Sequence, residues 1–195
     1  NNLMNLVIFG PPGAGKGTQS KFVVEKYNLF QLSTGELLRD EIKKKSELGK
    51  KISSIINSGK LVSDSLVSNL IENFVSNKEF KNKLIFDGYP RNLSQAKNLD
   101  ILLKKYGQKI NLVLKLSVSL ETIKKRISER LVEEKRSDDS EEIVIKRYKT
   151  YEKSTEPVIG YYKQSNLLRV VNGEASISEI NNEISDLIDG IKGWL

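Results

Sequence analysis

A short apolar run over residues 3–9 ends in GPPGAGKGTQ at 10–19, and the residues that follow the lysine have helical spacing, with Phe22, Val23 and Tyr27 on one side. Strand, glycine loop, helix is the arrangement in which successive backbone N–H groups form a concave nest backed by a helix N-terminus, a preorganised cradle for phosphate oxygens. Gly10, Gly13, Gly15 and Gly17, with Ala14 between them, leave the backbone open to such a ligand. Lys16 supplies the cation that reaches β and γ phosphates. The stretch departs from G-x-x-x-x-G-K-[ST] at one point: Gly17 follows the lysine, and the hydroxyl comes one residue later, at Thr18.

Three further apolar runs, at 83–86, 112–118 and 167–171, alternate with longer helix-like segments. Short continuous apolar runs suit strands buried on both faces, so the alternation predicts an α/β chain with a parallel sheet. Residues 32–77 have a helical pattern broken at Gly49 and Gly59, which predicts several short helices. S-x-x-E capping boxes at Ser33 to Glu36 and Ser176 to Glu179 mark two helix starts. Ile177, Ile180, Ile184, Leu187 and Ile191 form the expected core face of the last helix. No repeat and no linker divides the chain, and its length is that of one domain.

The residue inventory narrows the chemistry. The chain contains no cysteine and no histidine, which excludes a disulfide framework, a Cys/His zinc site, a histidine-based triad and a histidine proton shuttle. A net charge of +7 favours an anionic partner: nucleic acid, a membrane surface or phosphorylated small molecules. No apolar run approaches the roughly 20 residues of a membrane span, and the first residues lack the features of a secretory signal, so a cytoplasmic location is expected. The lysines at 43–45 read as a solvated helix face.

A GTPase would carry an N-K-x-D segment, and the nearest stretch, NKEF at 77–80, lacks the aspartate. At 84–91 the chain reads LIFDGYPR. An apolar strand there delivers Asp87 at its C-terminal end, where a carboxylate organises Mg²⁺ and its waters beside phosphates; a plain Asp-Gly turn is the alternative.

Seven stretches, GPPGAGKGTQ (10–19), LSTGELLRDE (32–41), SGKLVSD (58–64), FDGYPRNLSQA (86–96), RISER (126–130), RSDDSEE (136–142) and KRYKTYEKSTEPVIGYY (146–162), occur in the order found in adenylate kinases. The chain resembles that family, within the nucleoside monophosphate kinases, along most of its length. A glycine after the loop lysine is normal there, with the threonine next.

The resemblance implies a three-layer P-loop NTPase fold: a five-stranded parallel sheet flanked by helices, a small helical monophosphate-binding lobe at 33–62 and a short lid at 131–142, with the core at 1–32, 63–130 and 143–195. It implies reversible Mg²⁺-dependent phosphoryl transfer from ATP to AMP, giving two ADP, by a monomer that needs neither nucleic acid nor membrane. The acceptor oxygen is already ionised near neutral pH, so transfer rests on alignment and charge stabilisation rather than proton removal.

On the ATP side the resemblance places Gly13, Ala14, Gly15, Lys16, Gly17, Thr18, Arg126, Arg130 and Ala175, with Arg126 also stacking on adenine. On the AMP side it places Thr34, Arg39, Lys60, Leu61, Val62, Gly88, Tyr89, Pro90, Arg91, Gln95, Arg136 and Arg147. Lys16, Arg91, Arg130, Arg136 and Arg147 are the implied catalytic set, and Thr18 and Asp87 the implied Mg²⁺ side, partly through water. An isolated arginine in so basic a chain reads as surface charge, and it is motif position that reassigns these; Lys124 to Arg126 also reads as an exposed basic cluster.

The base is assigned through Gln95, whose amide can pair with adenine N1 and N6, and Thr34, where relatives taking UMP or CMP carry alanine. Glu36 stands where the family has aspartate. Only five residues separate Arg130 from Arg136, which leaves no room for an inserted zinc-bearing lid and predicts a short, metal-free cover. Gly49 and Gly59 are expected sites of motion in the lobe. The competing functions are a UMP/CMP-type or other monophosphate kinase, and a basic nucleic-acid-associated protein without kinase activity.

Overall fold

The structure, a computed structural model, describes residues 4–134 and 141–192, without the side chains of 130–134 and 192. Five strands, β1 (Leu6–Phe9), β2 (Phe30–Ser33), β3 (Leu84–Asp87), β4 (Leu112–Ser117) and β5 (Leu168–Asn172), form one parallel sheet in the order β2-β3-β1-β4-β5. The helices are α1 (Lys16–Tyr27), α2 (Thr34–Lys43), α3 (Glu47–Asn57), α4 (Asp64–Val75), α5 (Leu93–Lys105), α6 (Leu120–Glu134), α7 (Glu141–Gln164) and α8 (Ile177–Lys192), with a short 3-10 turn at Lys78–Phe80. Among the described residues no helix is long and apolar enough to cross a membrane.

The three layers follow from the strand sequences. In β1, Leu6 and Ile8 face one core with Met4, Val23, Tyr27, Leu114, Ile180, Ile184 and Ile188. Val7 and Phe9 face a second core with Val67, Phe86, Leu99, Leu103, Val158 and Tyr162. Side chains alternate across a strand, so a central strand covered by helices on both faces must be apolar at every position, as LVIF is. β2 lies at the sheet edge and is mostly half-buried, with Leu32 alone fully enclosed. It therefore reads FQLS rather than as an apolar run, and apolar patterning passed over it.

Two helix starts behave differently. At Ser176 the hydroxyl accepts from the Glu179 N–H at 3.2 Å, the N-cap bond, and donates to the Glu179 carboxylate at 3.0 Å. Ser33 caps nothing with its side chain, although α2 does begin at Thr34, because it is still the last residue of β2 and holds strand register with Asp87. In α8 the apolar face is rotated slightly from the expected one. Ile177 is 63% exposed, whereas Ile188 is fully buried.

Gly49 does not break a helix. It lies inside α3, where a Cβ would stand 2.0 Å from the Glu41 carbonyl oxygen of α2. The glycine is what lets α2 and α3 pack backbone to backbone. Gly49→Ala must push the two helices apart, an overpacking cost of about 1–3 kcal/mol; a lowered unfolding midpoint in urea tests this, and an unchanged midpoint would show that the hairpin yields without cost. Gly59, by contrast, ends α3 at φ +77 with nothing near it.

Strand order reverses direction about β1, and open parallel sheets bind ligands at the carboxyl ends of strands beside such a switch. The glycine loop after β1, residues 88–92 after β3 and residues 118–119 after β4 all emerge on that edge.

Candidate active site

The loop after β1 is held by its own backbone: the Ala14 N–H donates to the Pro11 carbonyl at 3.0 Å, and Gly13 and Gly15 both sit at φ +84, a left-handed conformation that side chains disfavour. Gly17 has ordinary helical geometry, and no atom stands within 4 Å of where its Cβ would be. Its lack of a side chain leaves the first turn of α1 open. Thr18 is exposed on that same turn.

Lys16 reaches across to β3. Its Nζ lies 2.5 Å from Asp87 Oδ1, while Asp87 Oδ2 accepts from Gln31 Nε2 of β2 at 2.8 Å. The register of the sheet, with Ser33 and Ile8 both opposite Asp87, brings these side chains together from three strands' worth of chain. Asp87 is 8% exposed, so both its oxygens need partners.

A cavity of about 610 Å³ opens beside this pair. Gly10, Pro12 and Lys16 form one wall, Gly88, Pro90 and Arg91 another, and Ile143, Arg147, Thr150, Tyr151 and Ser154 of α7 a third. Lys16, Arg91 and Arg147 thus converge on one space from elements far apart in sequence. Burial pushes the Tyr151 hydroxyl strongly up, so it remains a neutral phenol.

On the β3 side, a chain of hydrogen bonds orders the polar residues. The Gly88 carbonyl, in a residue at φ +77, accepts from Thr34 Oγ1 at 3.4 Å and from Arg91 Nε at 2.8 Å. Gln95 Oε1 accepts from the Arg91 N–H at 2.7 Å, and Gln95 Nε2 donates to Asp64 Oδ1 at 2.7 Å. Tyr89 is buried beside them and joined to Pro90 by a cis peptide. Burial, then the Asp64 charge, pushes its hydroxyl up to about 12. Arg39 is exposed on α2 and folds back over Gly35, its Nη1 3.2 Å from where a Cβ would stand. Lys60 is exposed and Leu61 is 95% exposed, away from the cavity; Val62 packs against the second core.

On the other side, Arg126 donates to the carbonyls of Gly13 at 3.5 Å, Ala14 at 3.4 Å and Gly173 at 2.8 Å. It ties the glycine loop to the turn after β5, where Ala175 packs against the first core. Glu174 in that turn accepts from the Ser119 N–H at 2.8 Å and from the Thr122 hydroxyl, and these bonds hold its carboxyl below the usual range. Arg130 lies on α6 with its side chain outside the described residues. Arg136, Asp138, Asp139 and half of the expected lid, residues 135–140, lie outside them altogether.

Sequence reading missed Gln31, Asp64 and the α7 wall. The wall was visible as periodicity, since residues 143, 150, 151 and 154 share one helix face with Arg147. Gln31 carried no signal of its own, and Asp64 only its place at the end of the 58–64 stretch; the sheet register and the α4–α5 packing show their partners.

The adenylate kinase family model matches residues 8–167. Proteins described as adenylate kinase resemble nearly the whole chain. One from Pelagibacter ubique is 42% identical over 211 residues, covering 95% of this chain and 99% of its own. One from Caulobacter is 42% identical over 181 residues, covering 93% and 96%. One from Fervidobacterium nodosum is 38% identical over 216 residues, covering 97% and 99%. The first and third alignments are longer than the part of this chain they use, so those relatives carry stretches with no counterpart here; the second does not. The sheet order, the glycine loop facing Asp87 and the arginines around one cavity agree with these matches, and the chain belongs to the adenylate kinase family.

Proposed function

We infer that the chain catalyses reversible Mg²⁺-dependent phosphoryl transfer between ATP and AMP, giving two ADP. The observation that carries this is the single cavity on which a phosphate-cradling loop with Lys16 and an independent set of cations, Arg91 and Arg147, converge. One phosphate site would need only the first. Two facing sites allow an AMP phosphate oxygen to bond to the γ phosphorus of ATP as the bridge to the β phosphate breaks and leaves as ADP.

In this reading the backbone of Gly13 to Thr18 and Lys16 hold the donor phosphates, with Arg126 and Ala175 at the donor base and Arg130 on its phosphates. Arg39 and Arg91 hold the acceptor phosphate, Thr34 and Gln95 face its base with Gly88, Tyr89 and Pro90 beneath, and Arg136 and Arg147 close over the transferred group. Lys60, Leu61 and Val62 complete the acceptor wall when the α2–α3 lobe swings in, which accounts for an exposed leucine at its base. Closure of the lobe and of the short lid excludes water, whose attack on ATP is the competing reaction.

The residues fit Mg²⁺. The ion keeps several waters and takes one or two carboxylates plus substrate phosphates; Asp87, whose oxygens each retain a lone pair, and Thr18 supply that much. No group of three or more metal-ligating side chains occurs among the described residues. When bound with ATP, Mg²⁺ supplies charge neutralisation on the phosphates. Lys16 then exchanges Asp87 for phosphate oxygens. The enzyme acts as a monomer on dissolved nucleotides in the cytoplasm, and its positive charge draws polyanionic substrates.

Initial rates of ADP formation from ATP and Mg²⁺ with AMP, UMP, CMP or GMP test this reading. AMP should be preferred strongly. Turnover with UMP and none with AMP would transfer the chain to the UMP/CMP class, and oligonucleotide binding with no ADP formed would favour a nucleic-acid role. Gln95→Ala should raise KM for AMP about tenfold, about 1.4 kcal/mol, and leave KM for ATP within twofold, since the base contact and the Arg91 N–H bond that it removes both lie on the acceptor side. Equal losses on both sides would remove Gln95 from the acceptor base.

A further inference from the structure

The side-chain amide of Gln95 has two ends of opposite polarity, and the structure fixes which way they point. An amide oxygen has two lone pairs and the NH₂ group has two hydrogens. The Arg91 N–H, which can only donate, takes one lone pair at 2.7 Å, and the Asp64 carboxylate, which can only accept when ionised, takes one hydrogen at 2.7 Å. Turning the amide over would set oxygen against carboxylate and NH₂ against N–H, two repulsions in place of two hydrogen bonds. Gln95 is 8% exposed, so water cannot readily repair that arrangement.

Asp64 is itself held in register from a distance. It opens α4, whose next polar residues at four-residue spacing also bridge to α5: Ser68 accepts from Asn98 at 2.8 Å, and Glu72 accepts from Lys105 at 2.9 Å and from Tyr106 at 2.7 Å. Asp64, Ser68 and Glu72 form one ladder along a helix face. The first rung is the one that meets Gln95. Packing of α4 on α5, and not the loop before α4, therefore sets where the carboxylate stands.

One lone pair and one N–H of the amide remain for a base. Adenine offers an acceptor at N1 and a donor at N6, while hypoxanthine and guanine offer a donor at N1 and an acceptor at O6. We propose that Asp64 is a specificity-determining positioning residue: by holding the Gln95 amide in one orientation, it makes the acceptor site select a 6-amino purine over a 6-oxo purine. This rests on the reading of Gln95 as facing the acceptor base. Asp64 touches no reacting atom and acts only through the amide.

The test compares AMP with IMP, which differ at the N1/C6 edge, as acceptors with ATP and Mg²⁺. Asp64→Leu leaves the amide with one pin, and the ratio of kcat/KM for AMP over IMP should fall about tenfold, the weight of one charge-assisted hydrogen bond. The fall should come from KM for AMP, with KM for ATP unchanged. Asp64→Asn, nearly isosteric, can meet either end of the amide and should lower the ratio by about threefold, so the inference is testable even where the leucine variant folds poorly. Ser68→Ala breaks the neighbouring rung without touching Gln95 and should leave the ratio unchanged.

An unchanged ratio in both Asp64 variants, with Gln95→Ala still raising KM for AMP, overturns the role of Asp64 and spares that of Gln95. No effect of Gln95→Ala on KM for AMP would remove the underlying reading, and the inference with it. A ratio lowered equally by Ser68→Ala would make Asp64 a purely structural rung and also overturn the proposal.

Discussion

Arg91→Ala should lower kcat/KM for the transfer reaction by about 10²–10³-fold, the loss seen when one preorganised donor to a developing charge is removed. Arg91 is set for this by its anchoring. Its Nε donates to the Gly88 carbonyl at 2.8 Å, its N–H to Gln95 at 2.7 Å, and the side chain borders the cavity. An anchor through Nε leaves the two terminal nitrogens as a fork for an anion, so little reorganisation is needed when phosphate arrives. Arg91→Lys should recover only a small part of the loss, because a point charge cannot reproduce the fork. Steady-state rates with AMP varied at saturating ATP check this, and a variant within threefold of the parent would remove Arg91 from the transfer site.

Lys16→Met should be nearly as damaging and should also cost stability. The lysine is the cation of the phosphate loop, and its loss should slow transfer by about 10²–10³-fold. In the structure it also neutralises Asp87, which is 8% exposed and has Gln31 as its other partner. Removing one member of an enclosed ion pair leaves the other uncompensated, a cost of 3–5 kcal/mol when fully buried. The Lys16 side chain is 28% exposed, so solvent reduces that cost to about 1–2 kcal/mol. Lys16→Met with Asp87→Asn should regain most of the stability and none of the rate. Urea unfolding midpoints and initial rates on the parent and the two variants separate the two effects; a stable but slow single variant would show that Asp87 needs no cation, and a fast one would deny Lys16 its phosphates.

β1 and β3 are buried along their whole length, and β4 at most positions, and there burial enforces apolar residues; β5, the other edge strand, is largely exposed and was located only because Leu168, Val170 and Val171 are apolar all the same. β2 escaped because an edge strand of four residues can carry Gln31 and Ser33 in its half-exposed positions. The same contrast separates the two capping boxes. Ser176 follows a turn and is free to cap, whereas Ser33 belongs to a strand. Gly49 reads as a breaker from propensity alone, yet what it reports is the distance between two helices.

For the site, the motifs mark Lys16, Thr34, Asp87, Arg91, Gln95, Arg126 and Arg147 as polar residues at defined offsets from glycines and prolines, and the structure sets these around the glycine loop and the end of β3. Leu61 is almost fully exposed and does not line the cavity, and the stretch with Arg136 is outside the described residues.

The sequence by itself determined the local chemistry: a glycine loop with the backbone freedom and the lysine of an anion cradle, an inventory without histidine or cysteine that confines catalysis to charge and alignment, and a central strand, β1, buried deeply enough to be apolar throughout. These are short-range properties, written in consecutive residues. Which side chains meet was decided only by the tertiary structure. Lys16 meets Asp87, and Asp87 meets Gln31, because parallel register aligns three strands; Gln95 meets Asp64 because α4 packs on α5 along a four-residue ladder. Such pairings depend on long-range packing, and no local pattern encodes the partner of a single polar side chain.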